Sequence, residues 1–193
     1  MEHSYLIIGI VGFTIIVAYS WYVSMVFKRN KVQEAFSGID VQLQQRMSLI
    51  PNILTIAQKF MTHEKSLMTE ITELRTNADN ASKEPKDPES VKKYFAASEA
   101  LAGKVSQLML AVENYPNLKS DQTMIMAMQS YNEIEAQIAA ARRFYNASVN
   151  DLNNTVQLFP KNIVAAMVGI KAMPFYLADE QAKQAVNAEA YLK

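Results

Sequence analysis

The sequence predicts an all-α protein: a single transmembrane helix at the N-terminus, then an antiparallel up-and-down four-helix bundle with long helices. Three observations predict it. Residues 5–27 run without one charged side chain. From Val32 onward, apolar residues recur at alternating steps of three and four, the stripe of a helix packed against other helices. Glycine and proline are sparse, 5 and 6 among 193 residues, which favours long helices over a sheet.

Residues 5–27 exceed the roughly 20 apolar residues that a helix needs to cross about 30 Å of hydrocarbon. A lone span in lipid must be helical, because lipid offers no partner to bare backbone groups. Tyr5, Trp21 and Tyr22 sit towards the ends of the run, where amphipathic rings suit the membrane interface. The run reads as an uncleaved anchor: the short flank Met1-Glu2-His3-Ser4 is not basic, and bulky Trp21 and Tyr22 replace a small-residue cleavage site. Lys28, Arg29 and Lys31 follow at once. By the positive-inside rule the N-terminus is outside and the helical domain is cytoplasmic.

The first seam reads Val32, Phe36, Ile39, Leu43, Ile50, Ile53, Ala57, Phe60, Leu67, Ile71 and Leu74, with Arg46 and Glu64 in the same register. Pro51 lies within it, so a kink or brief break is expected near residues 49–52. Nothing between Phe27 and Val32 breaks a helix, so the anchor should run into the domain with little linker. A polar connection follows at 77–90. Asp87-Pro88 opens the second helix, since Asp87 can cap free amides and Pro88 fits the first turn. Its seam is Val91, Tyr94, Ser98, Leu101, Val105, Leu108 and Val112, and it stops before Pro116. A turn at 114–117 leads to a third helix capped by Ser120 or Asp121. The third seam, from Met124 through Met128, Tyr131, Glu135, Ile138, Arg142, Tyr145, Val149, Leu152 and Val156 to Phe159, is the most regular. Pro160 closes it. Residues 162–171 form a short apolar segment, and an alanine-rich tail after Pro174 is expected to be helical. The domain plan is an anchor at 1–30, a helical bundle at 31–175 and the tail at 176–193. A single extended coiled coil is the alternative, but the prolines punctuate the pattern too often for it.

Composition excludes several functions. The chain has 19 basic and 19 acidic residues, which argues against a nucleic-acid footprint. It has no cysteine, hence no disulfide, thiolate zinc site or thiol nucleophile. Only His3 and His63 are available. A di-iron bundle needs repeated Glu-x-x-His motifs and a zinc protease needs His-Glu-x-x-His; His63-Glu64-Lys65-Ser66-Leu67 provides neither. There is no Gly-rich phosphate loop and no nucleophile elbow, so no cofactor, metal or catalytic residue is expected.

Several segments carry a family resemblance: Ile39-Asp40-Val41-Gln42-Leu43, Arg46 with Ser48-Leu49-Ile50-Pro51-Asn52, and His63-Glu64. Others are Glu113-Asn114-Tyr115-Pro116-Asn117-Leu118-Lys119, Glu135 with Ile138, Arg142 through Tyr145-Asn146-Ala147, and Phe159-Pro160 with Asn162. In this order, from the anchor to about Phe175, the chain resembles the LemA family of bacterial membrane-anchored helical proteins. It departs at Phe36, where the family often has tryptophan, and at Met47-Ser48, which replaces a more polar pair ending in aspartate. The resemblance implies a single-pass anchored four-helix bundle with no established enzymatic activity, linked loosely to membrane organisation and membrane-protein partners.

The anomaly in the seams is charge: Arg46 and Glu64 in the first, Glu135 and Arg142 in the third. A buried unpaired charge is very costly, so each must be paired, sit at a bundle end or line a wet cavity. Glu135 and Arg142 are about 10.5 Å apart along a helix, so each needs a partner elsewhere. Arg46 suits Glu135 and Glu64 suits Arg142, but straight neighbouring helices can satisfy one of these pairs at most. The four are expected to form an interior polar network that sets helix register, with a functional groove as the alternative. The expectation for function is a non-enzymatic scaffold or interaction protein of the bacterial inner membrane, with protein partners. The alternative is an accessory or regulatory subunit of a membrane complex such as a protease or transporter. Whether copies associate as a homo-oligomer stays open.

Overall fold

The computed structural model describes residues 2–83 and 87–177. Among these residues all regular structure is helical: α1 (Glu2–Ala57), α2 (Lys65–Ser82), α3 (Pro88–Val112), α4 (Pro116–Lys119), α5 (Gln122–Gln157) and α6 (Lys161–Val168). The apolar stretch and the start of the domain are one uninterrupted helix of 56 residues. Its N-terminal part includes a window long and apolar enough to cross a membrane, none of it covered by the rest of the chain.

The break expected at residues 49–52 does not occur. α1 continues through Pro51 and the chain turns at residues 58–64 instead, so Phe60 and Glu64 do not belong to the first helix. An interior proline removes one hydrogen bond, the one its amide would give to the carbonyl four residues back. Here that carbonyl belongs to buried Met47, and it accepts a bond from the Arg75 Nε of α2 at 2.9 Å. The helix survives because another helix supplies the missing donor.

The other ends follow local chemistry. Asp87 accepts from the amides of Glu89 and Ser90, and the Ser90 hydroxyl accepts from the Asp87 amide, closing a capping box ahead of Pro88. Asp121 accepts from the amides of Thr123 and Met124 and so starts α5; both caps satisfy amides that a helix start leaves open. The turn expected at 114–117 runs into the one-turn helix α4, with proline in its first turn. Gly169 ends α6 at φ 70°, a left-handed conformation that glycine adopts without Cβ strain.

The chain forms two compact units, the described residues of Met1–Arg46 with Asn132–Phe175, and those of Met47–Tyr131 with Tyr176–Lys193. In the first, α1 and α5 run antiparallel. Lys28 Nζ donates to Thr155 Oγ1 at 2.7 Å, Phe36 meets Tyr145 edge-on at 6.3 Å, and Arg46 meets Glu135. Val32, Ile39 and Leu43 of α1 and Ile138, Tyr145, Val149 and Leu152 of α5 are among its buried residues, as the seams require, and Met25 joins them. Phe159 departs from its seam: α5 has ended and the ring is 80% exposed.

In the second unit, Ile50, Ile53 and Ala57 share one apolar cluster with Ile71, Leu101, Val105, Leu108, Val112, Leu118, Met124 and Tyr131. Lys104 of α3 pairs with Glu70 of α2 at 2.6 Å on its surface. Tyr176 completes the unit, its ring stacked on Phe95 at 4.2 Å and its hydroxyl donating to Glu99 at 2.6 Å. Residues 170–177 are not helical, so the helix expected after Pro174 does not include residues 175–177. The backbone of residues 170–177 is held by side chains of α5 instead, Asn153 at Met173 and Tyr145 at Pro174. The remainder of the expected tail, 178–193, lies outside the described residues.

Candidate functional site

The four charged residues of the seams are the candidate site, and the structure pairs two of them, Arg46 and Glu135. Arg46 faces inward from α1 and is 1% exposed, while Glu135 on α5 is 32% exposed; Nη1 and Oε1 are 3.0 Å apart. The arrangement suits arginine, whose weakly hydrated fork is the cation best adapted to a buried pair. The long stem carries charge from a buried position to a carboxylate at the edge of water, so only one partner is fully desolvated.

Glu64 lies outside the helices, at the N-cap of α2, with no capping bond from its side chain. Its carboxylate accepts from the Tyr115 hydroxyl at 2.6 Å. That bond, together with desolvation and the nearby negative charge, pushes the Tyr115 phenol above its ordinary value and keeps it a donor. The contact ties the turn after α1 to the turn before α4, 51 positions apart in sequence. Arg142 is half-buried on α5, one heptad beyond Glu135, and its side chain is engaged within the protein.

Sequence reasoning passed over the polar contacts of three further side chains. Arg75, which replaces the donor missing at Pro51, looks like an ordinary surface position of α2. Asn153 is buried on α5; its Nδ2 donates to the Met173 carbonyl and its Oδ1 accepts from the Met173 amide, both at 2.9 Å. Tyr145 donates to the Pro174 carbonyl at 3.0 Å, and burial pushes its phenol well up. An asparagine holding both backbone groups of one residue works as a single strand rung. The signal available was an asparagine in the apolar register flank of an otherwise regular seam.

Among the described residues no group of three or more His, Asp or Glu side chains could hold a metal ion.

Fold and site define an all-helical protein with one N-terminal helix long and apolar enough to cross a membrane. The LemA family model matches residues 35–189, and the chain belongs to the LemA family. It is similar to the magnetosome proteins MamQ 1 and MamQ 2 of Paramagnetospirillum magneticum, each 24% identical over 191 residues, covering 88% of this chain and 69% of the relative. It is also similar to the protein LemA of Metamycoplasma hominis, 22% identical over 152 residues, covering 79% of this chain and 67% of that protein.

Proposed function

We propose that this protein is a non-enzymatic scaffold, anchored by one pass in a bacterial inner membrane, that presents a helical surface to protein partners in the cytoplasm. The observation that carries the reading is the continuity of α1. One helix of 56 residues contains both the apolar stretch and the first helix of the domain, so no flexible linker separates them. Lys28 strengthens the junction by bonding to α5 immediately after the apolar run. A domain fixed in this way has a defined height and rotation over the bilayer, which suits presentation of a surface and adds nothing to a freely diffusing activity. Membership of the LemA family supports it.

The proposal takes α1, α2, α3 and α5 as an antiparallel up-and-down four-helix bundle, supported by their length, their three-and-four seams and the short connections. The charged seam residues then set helix register rather than doing chemistry, supported by the ion pair of Arg46 with Glu135 and the bond that Glu64 accepts from Tyr115.

Photocrosslinking in native membranes tests it, with photoreactive groups at exposed positions of α2, α3 and α5 followed by mass spectrometry. A reproducible membrane-associated partner captured from one face is the expected result. Capture of none from any face, together with turnover of a small molecule that Glu135→Gln abolishes, would overturn it.

A further inference from the structure

We propose that residues 158–168 form a second, shallow contact with the lipid bilayer, in the headgroup region beside the helix of residues 5–27. This rests on the reading of that helix as a membrane span. Three observations carry it.

The first is height. α5 runs antiparallel to α1, with Thr155 beside Lys28. Two further residues, about 3 Å of rise, bring the end of α5 level with Met25 and Val26, inside the charge-free run. The chain then leaves for α6 and comes back to Met173, which Asn153 of α5 holds through both backbone groups. The excursion through α6 therefore starts and ends where α1 changes from apolar to basic. Met25 agrees: it belongs to the charge-free run, yet it is fully buried. Protein, not lipid, covers one face of the span at that depth.

The second is the inverted face of α6. Leu158 and Phe159 in the connection, and Ile163, Met167 and Val168 on the helix, are all exposed, with Met167 at 82%. Ile163, Ala166 and Met167 share one face by their spacing, while Ala165 is buried. A surface helix of a water-soluble domain carries polar residues on its outward face. A contiguous apolar face turned outward marks an interaction surface.

The third is the charge around it. Lys28, Arg29 and Lys31 on α1, with Lys161 and Lys171 bracketing α6, place five cations around the excursion. Apolar side chains set in a basic rim are the composition of a helix lying in an anionic membrane interface. With residues 5–27 spanning the bilayer, lipid headgroups lie at this height.

The chain has no cysteine, so single-cysteine labelling is clean. The full chain is reconstituted in vesicles of phosphatidylethanolamine and phosphatidylglycerol, with an environment-sensitive fluorophore at Met167→Cys. Ile16→Cys, mid-run, serves as the span reference. Gln137→Cys, about 27 Å along α5 from Thr155, serves as the water reference. Nitroxide lipids labelled high or low on the acyl chain and aqueous iodide are the quenchers. The expected result is greatest loss of fluorescence at 167 from the high nitroxide, at 16 from the low nitroxide, and at 137 from iodide. If 16 is lipid-quenched but 167 responds to iodide like 137, or is shielded from every quencher, water or protein covers the face and the second contact is refuted while the span stands. If 16 itself escapes the lipid quenchers, the anchor reading fails and this proposal falls with it.

Discussion

The sharpest energetic test concerns Arg75 and Pro51. Arg75→Met keeps most of the side-chain stem and removes the Nε donor that lies 2.9 Å from the Met47 carbonyl. A hydrogen bond from a charged donor is worth about 1.5–3 kcal/mol net. Arg75 is only half-buried, so solvent screening brings the expected cost to the low end, about 1–2 kcal/mol. Pro51→Ala restores an amide at the one position whose amide is due to that carbonyl. It relieves part of the roughly 3 kcal/mol that an interior proline costs a helix, and should stabilise by about 1–2 kcal/mol. In the Pro51→Ala background the Met47 carbonyl has its ordinary partner, so Arg75→Met should cost close to nothing. The coupling between the two substitutions is then about 1–2 kcal/mol, well above the roughly 0.3–0.5 kcal/mol within which independent sites add. Urea unfolding of the four full-length proteins in one detergent, followed by far-ultraviolet circular dichroism, measures it. Equal cost of Arg75→Met in both backgrounds would refute the idea that Arg75 substitutes for the missing amide.

Three further outcomes are expected. Glu135→Gln keeps the size of the side chain but removes the charge facing Arg46; it should destabilise by about 1–3 kcal/mol, with Arg46→Met costing less in that background than alone by urea unfolding. Tyr176→Ala empties a fully buried position stacked on Phe95 and should cost about 3–5 kcal/mol, whereas Tyr176→Phe keeps the stack and loses only the bond to Glu99, about 1–2 kcal/mol; thermal unfolding separates them. The amides of Ser90 and Met124, in each case the largest cause, hold the Asp87 and Asp121 carboxyls below their ordinary 3.8. A depressed folded value means the caps stabilise fully above pH 3.8 and lose their contribution as pH falls through the folded values. Replacing both with asparagine, which caps without titrating, should flatten the acid limb of a Tm–pH profile.

How far the sequence could be read depends on whether a feature is local. The α3 seam is buried at every position from Val91 to Val112, Ser98 included, because a period of three and four belongs to the helix itself. The Asp87 cap is equally local. Pro51 was misjudged because its cost is local but its remedy, Arg75, lies 24 positions away on another helix. The break fell at residues 58–64, where a three-and-four register persists through non-helical chain and so hides the turn. The charges in the seams announced themselves as anomalies, and opposite charge made Arg46 with Glu135 one of two candidate pairs. Glu64 could not be matched with Tyr115, since both sit in turns whose geometry no periodicity describes. The outward apolar face of α6 was legible only as an apolar segment: burial is relative to the rest of the fold, and a sequence does not state which face is covered.

Continuity of α1 makes one more outcome specific. Each alanine inserted between Arg29 and Asn30 advances a helix by about 1.5 Å and turns it by about 100°. One alanine therefore swings the anchor by more than a quarter turn under the domain and pulls Lys28 away from Thr155. Seven alanines, nearly two full turns, return the anchor to within about 20° of its original phase while raising the domain by about 10.5 Å. If partners are met at a fixed rotation over the bilayer, the crosslinked face should change with one alanine and be recovered with seven. A flexible glycine-serine insert of seven residues has the same length without the phase, and should lose the face-specific pattern. Retention of one pattern through all three inserts would mean that the domain works as a loosely tethered body. The uninterrupted helix would then serve only to connect, and the scaffold reading would lose the observation that carries it.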